Sequence, residues 1–267
     1  MIRKLLALEF SILLLLAPVF GFQGFGGKAG IGGKAGFGGA ATSCSGTAFG
    51  NFCELQHGVA TSGGGTSSET LTLGSNILAG QKIIMAFISC GTDSLCGGGQ
   101  PASVTPSDGP GDSFTPSSNG CQAISTGFTL CIWFVQSSLG GSKTITAACK
   151  DGSSNPSTCY YATVYAVVGT DSNSLSFDNS GNMVAASNTG TSFPCTGSTT
   201  SNANDLFYGW IFSVNSPVVG SGFTGFDVNS PANTGHEGKA VSSTQTLSAP
   251  WTGATSTPIL GCAAIEI

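Results

Sequence analysis

Nowhere does this chain sustain an apolar period of 3.6 residues, and without one no amphipathic helix can bury a face. What it has instead are short β-branched and aromatic runs separated by clusters of Gly, Ser, Thr, Asn and Pro. They fall at Glu69–Leu73, Lys82–Cys90, Ala102–Thr105, Thr129–Gln136, Lys143–Cys149, Cys159–Val168, Asp205–Val214, Gly222–Val228, Lys239–Leu247 and Pro258–Ile267. Glycine alone supplies 41 of the 267 residues, mostly in the turn-like segments. Short strands at regular spacing with turn signals between them predict an all-β chain, a two-sheet antiparallel β-sandwich of jelly-roll or Ig-like type with about ten strands.

Four runs complicate that picture. Ile83–Ile88, Leu130–Val135, Tyr160–Val168 and Leu206–Phe212 are apolar at odd and even positions alike. A sandwich strand normally alternates, because one of its faces meets water. In the third run Tyr160, Ala162, Val164, Ala166 and Val168 share one face, while Tyr161, Thr163, Tyr165 and Val167 share the other. Either loops cover the outer face, or that face carries an exposed aromatic patch.

The first residues read as an export signal over 1–21. Arg3 and Lys4 form a positive start, and Leu5 to Val19 form an apolar run broken by Glu9. That run is shorter than the roughly 20 residues of a membrane span. An uncleaved N-terminal anchor is the alternative. The chain would then be secreted, displayed at the cell surface or held in the periplasm. All ten cysteines follow the leader: Cys44, Cys53, Cys90, Cys96, Cys121, Cys131, Cys149, Cys159, Cys195 and Cys262. An even number in an exported chain reads as up to five disulfides. Connectivity does not follow from sequence in general, but local spacing suggests Cys44 with Cys53, Cys90 with Cys96, Cys121 with Cys131, and Cys149 with Cys159 across a turn-rich hairpin. Cys195 with Cys262 would close the longest loop. With no C-x-x-C and two histidines, a zinc site is not expected.

Residues 22–41 are a Gly-rich linker containing a six-residue repeat, Phe25-Gly-Gly-Lys-Ala-Gly and Ile31-Gly-Gly-Lys-Ala-Gly, then Phe37-Gly-Gly. It reads as a flexible spacer, or as an extended ribbon with Phe and Ile on one side and Lys28 and Lys34 on the other. Residues 42–267 are assigned to the β-sandwich domain.

Several segments together carry a resemblance. Ala102-Ser-Val-Thr with Asp112-Ser-Phe-Thr is followed by Leu130-Cys-Ile-Trp-Phe-Val-Gln and Gly140-Gly-Ser-Lys-Thr-Ile-Thr. Then come Ala162-Thr-Val-Tyr-Ala-Val-Val-Gly-Thr-Asp, Thr200-Ser-Asn-Ala-Asn-Asp-Leu-Phe-Tyr-Gly-Trp, Gly220-Ser-Gly-Phe and Val241-Ser-Ser-Thr with Trp251-Thr. In this order, over residues 66–267, they resemble uncharacterised secreted β-sandwich proteins of soil bacteria and their phages, with Ig-like or jelly-roll modules. The chain departs from that pattern at Thr105–Asp112, where a Pro/Gly-rich turn replaces a compact one, and in its additional cysteines. The resemblance carries no catalytic residues.

The candidate chemistry is sparse. Only 8% of residues are charged, the net charge is −5, and the one arginine, Arg3, lies in the leader. Binding to nucleic acid is thereby excluded. The histidines are His57 and His236; the latter, in Thr234-Gly-His236-Glu237-Gly, reads as a solvated loop residue, and the Gly-x-Ser-x-Gly nucleophile elbow is absent. A glycoside hydrolase needs two carboxylates about 5–10 Å apart, for which Asp108 with Asp112, Asp171 with Asp178, or Glu237 with a partner are candidates; turns and caps are the competing roles. Asp171, Asn173 and Asp178 form an oxygen-rich stretch suited to calcium, or to two Asx turns. Trp133, Tyr161 and Tyr165 would form a glycan-stacking platform if the outer face is bare; core packing is the competing role, as it is for Trp210, Tyr208 and Trp251.

From sequence the expectation is a non-catalytic protein for adhesion to, or recognition of, extracellular glycans or envelope components. Two other functions remain open: a structural subunit assembling as a homo-oligomer through the repeat or an edge strand, and a cryptic glycoside hydrolase.

Overall fold

The computed structural model describes residues 44–90, 103–124, 127–151, 153–178, 183–187, 192–193, 198–199, 204–213, 217–228, 234–247, 251–252 and 259–267. The leader, the Gly-rich repeat, Cys96 and Cys195 lie outside them. Ser43–Ile267 is one unit, and the described residues form antiparallel strands with no helix.

The largest sheet runs in the order β1 (Thr47–Phe49), β2 (Phe52–Thr61), β10 (Tyr160–Thr170), β4 (Lys82–Cys90), β8 (Phe128–Val135) and β6 (Thr115–Pro116), with β7 (Gln122–Ala123) also on β8. A second sheet is ordered β11 (Ser176–Phe177), β20 (Ile259–Glu266), β15 (Asp205–Phe212), β17 (Thr234–Val241) and β16 (Thr224–Gly225), with β12 (Val184–Ser187) also on β20. A third has β9 (Thr144–Lys150) between β3 (Ser68–Thr72) and β5 (Ser103–Asp108). Two short ladders complete the set: β13 (Ser192–Phe193) with β19 (Trp251–Thr252), and β14 (Ser198–Thr199) with β18 (Thr246–Leu247).

The expected two-layer sandwich is corrected here to a stack of three sheets, and the doubly apolar runs explain why. On β4, Ile84, Ala86 and Ile88 face one way and Ile83, Met85 and Phe87 the other. The first set packs in a core with Leu206, Tyr208, Trp210 and Ile265 of the second sheet. The second set packs in a separate core with Leu71, Ile145 and Ala147 of the third sheet. β8 and β10 divide in the same manner: Leu130, Ile132, Phe134, Tyr165 and Val167 enter the first core, while Cys131, Trp133, Val135, Val164 and Val168 enter the second. A strand sandwiched between two layers has no wet face, so nothing selects polar residues at alternate positions. The fourth run, β15, is apolar on both faces for a related reason. Its outward residues Phe207 and Ile211 join Leu260, Cys262 and Trp251 in a third core.

Three disulfides have the pairing that local spacing suggested: Cys44–Cys53, Cys121–Cys131 and Cys149–Cys159. Cys90 and Cys262 are also disulfide-bonded; the suggested pairs Cys90–Cys96 and Cys195–Cys262 involve cysteines outside the described residues. Crosslinks of this density belong to an oxidising environment.

Candidate functional site

The third sheet turns its inner face, with Leu71, Val104, Ile145, Ala147 and Cys149, into the second core. Alternation therefore sends the intervening side chains outward. These are Ser68, Thr70 and Thr72 on β3, Thr144, Thr146, Ala148 and Lys150 on β9, and Ser103, Thr105 and Ser107 on β5. All but Ala148 and Lys150 carry a hydroxyl. The register sets Thr72 beside Thr144, Thr70 beside Thr146, and Thr146 beside Ser107. Thr70 Oγ1 and Thr146 Oγ1 share a hydrogen bond of 2.9 Å on the surface. The strands space these groups about 4.8 Å apart across the sheet and about 6.8 Å along it. Pro106 is tolerated in β5 because β5 is an edge strand and needs no donor on its open side. The face is a grid of short, neutral donors and acceptors on a rigid support. Short side chains lose little rotamer freedom when a partner orders them.

A different polar group lies where β2 of the central sheet meets β17 and the residues after β16. Glu54 Oε1 is 3.0 Å from His57 Nδ1. His57 Nε2 lies 3.8 Å from Asp227 Oδ1, and Asp227 Oδ2 lies 3.7 Å from His236 Nε2. His236 Nδ1 is 2.7 Å from the Tyr208 hydroxyl. His57 and Asp227 are half-exposed, whereas His236 and Tyr208 are fully buried. The reading of His236 as a solvated loop residue is thus corrected: it sits on a strand, ringed by Phe226, Tyr165 and Tyr208 with centroids 5.0, 5.6 and 5.9 Å away. Burial pushes its imidazolium below the usual histidine range, against the upward pull of Asp227. Interaction with His236 holds the Asp227 carboxyl below its ordinary value despite partial burial. The Asp227–His236 separation is that of an ion pair rather than a direct hydrogen bond. Among the described residues, no three His, Cys, Asp or Glu side chains are arranged to hold a metal.

The neighbouring Glu237 points to the other side of β17. It is fully buried, accepts a 2.9 Å hydrogen bond from the Gly220 N–H, and leaves Oε1 unpartnered. Burial raises its carboxyl to about 8, so it is mostly protonated at neutral pH.

The aromatic platform does not assemble. Trp133 lies in the second core and Tyr165 in the first, on opposite faces of the central sheet, both buried. Tyr165 donates its hydroxyl proton to the Ile211 carbonyl at 2.7 Å. Tyr161 alone reaches solvent, at a bulge in β10 with φ of 49°. Trp210, Tyr208 and Trp251 are likewise buried. In the oxygen-rich stretch, Asp171 Oδ1 accepts the Asn173 N–H at 2.8 Å, forming an Asx turn. Asp178 is nearly buried and extends the pairing with β20 through its N–H to Ala264. Asp108 also spends Oδ1 on a turn, accepting the N–H groups of Gly111 and Asp112.

Sequence reading missed the hydroxyl grid, although Ser68-x-Thr70-x-Thr72 and Ser103-x-Thr105-x-Ser107 display its period of two. It also missed β2, which lies between β10 and the short β1, is covered by β1 only over Phe52–Glu54, and whose mixed polar composition hides His57 in what resembles a loop. No protein-family model, curated protein or solved structure matches the chain.

Proposed function

We propose that this is a secreted, non-catalytic recognition protein that adheres to neutral glycans of a cell or virion envelope through the outer face of the β3–β9–β5 sheet. The observation that carries this reading is the two-dimensional grid of Ser and Thr hydroxyls, with Lys150 its one charged outward residue. A polyhydroxylated polymer offers matching neutral donors and acceptors. Each hydroxyl contact is worth little after desolvation, so adhesion by such a face is weak per residue and accumulates with contact area and copy number. A disulfide-pinned stack suits the role, since a rigid face need not be ordered on binding.

The test is retention of the purified protein on insoluble cellulose and chitin. Retention that persists at high salt, and that drops at least tenfold in Thr70→Glu/Thr105→Glu while the far-ultraviolet spectrum is unchanged, is the expected result. No retention on either polymer, or equal retention of the double variant, overturns the reading.

A further inference from the structure

His236 has features that adhesion does not use. It is a fully buried imidazole whose Nε2 has no hydrogen-bond partner, and it ends a chain of ionisable groups that begins at half-exposed His57. The chain crosses between layers: Glu54 and His57 belong to β2 of the central sheet, and His236 to β17 of the second. The two imidazole rings lie 6.0 Å apart, and Phe226 packs against both, 5.5 Å from His57 and 5.0 Å from His236. Phe49 of β1 packs on Phe226 at 5.4 Å. The ionisable groups facing His236 are Asp227 from the segment after β16, His57 and Glu54 from β2, Tyr208 from β15 and Tyr165 from β10. Glu237 and Lys239 project from the opposite face of β17.

We propose that His236 is an acid-operated latch between the central and second sheets: taking up a proton there loosens the corner where β1 and β2 meet β16 and β17. The neutral ring packs among aromatics and bonds Tyr208. The imidazolium would need to be solvated in that same cage, with Asp227 the one carboxylate in ion-pair range among the described residues. A buried charge with one distant partner is costly, and the corner can lower that cost by opening to water along the Asp227–His57 side, which is already half-exposed.

The sign follows from linkage. A histidine held below its unfolded value contributes stability that is complete above that value, about 6.5, and is lost as pH falls through the folded one. Glu237 acts in the opposite sense over part of this range, because it is raised and its contribution grows as pH falls from about 8. The two must be separated, so the experiment uses the full chain carrying Glu237→Gln.

Hydrogen exchange is followed from pH 7.5 to 5, corrected for intrinsic rates. Amides of 52–59 and 234–238 are expected to lose protection by up to tenfold per pH unit as pH falls below about 6.5, as one-proton linkage requires, while those of 144–150 do not. Adding His236→Gln abolishes the change, and His57→Gln leaves it in place. Since the His236 variant can fail to fold, NMR titration of the His236 ring in the Glu237→Gln protein decides independently. A midpoint at or above that of a free histidine, or protection lost uniformly across all three sheets, overturns the proposal.

Discussion

The indole of Trp210 occupies the space above Gly261, its cross-strand partner on the β15–β20 ladder. A Cβ built at 261 would lie inside the van der Waals envelope of the ring. The glycine is there because a large ring covers it, not because a turn requires it. Gly261→Ala is expected to cost about 1–3 kcal/mol by overpacking. Pairing it with Trp210→Phe should recover part of that loss in a double-mutant cycle. Urea denaturation gives both values, and additive costs would contradict a direct steric coupling.

Glu237 makes stability fall with rising pH between about 4.5 and 8. Its folded value of about 8 stands above the ordinary 4.5, so its contribution is complete below about 4.5 and is lost as pH rises through 8. The loss is on the order of 5 kcal/mol at full extent. Glu237→Gln preserves the acceptor for the Gly220 N–H and removes the titration. The variant should match the parent near pH 5 and exceed it at pH 9 in guanidinium midpoint. Parallel curves across this range would mean that Glu237 ionises normally.

Several strand positions and the local disulfides were legible because both are local signals, whereas β2 and most of β17 were not. β4 was read at its observed bounds, Lys82–Cys90, and Cys149–Cys159 followed from the turn between them. The number of layers was not legible. A strand buried on both faces shows that something covers each face, but not whether that cover is a loop, a ligand or another sheet. For the same reason Trp133 looked available: only the third sheet, brought onto the central one by contacts distant in sequence, hides it. His236 was hidden by composition, since flanking glycines at 235 and 238 imitate a loop. In fact those glycines leave room for large rings. A side chain at 235 would crowd Trp251, and one at 238 would crowd Phe226.

Trp133 now belongs to the fold. Its ring packs in the second core and is 4% exposed, so Trp133→Ala should cost about 3–5 kcal/mol by leaving a cavity. Any polysaccharide retention measured per folded molecule should stay unchanged. If retention is lost in protein that remains fully folded, Trp133 contacts the ligand and the assignment to the hydroxyl face fails.

The Cys149–Cys159 bridge ties the end of β9 in the third sheet to the residue preceding β10 in the central sheet, across a separation of 10 residues. Both sulfurs are buried in the second core. The intervening turn is held independently by Asp151, whose Oδ1 accepts the N–H groups of Ser153 and Asn155. Removing the bridge as Cys149→Ala/Cys159→Ala should therefore leave the turn formed and act chiefly on the unfolded chain. Loop-closure entropy puts the cost at about 3 kcal/mol. The denaturant slope should rise with it, because the uncrosslinked chain exposes more surface when unfolded. A midpoint that falls while the slope stays constant would instead locate the effect in the folded state, as lost packing between the two sheets.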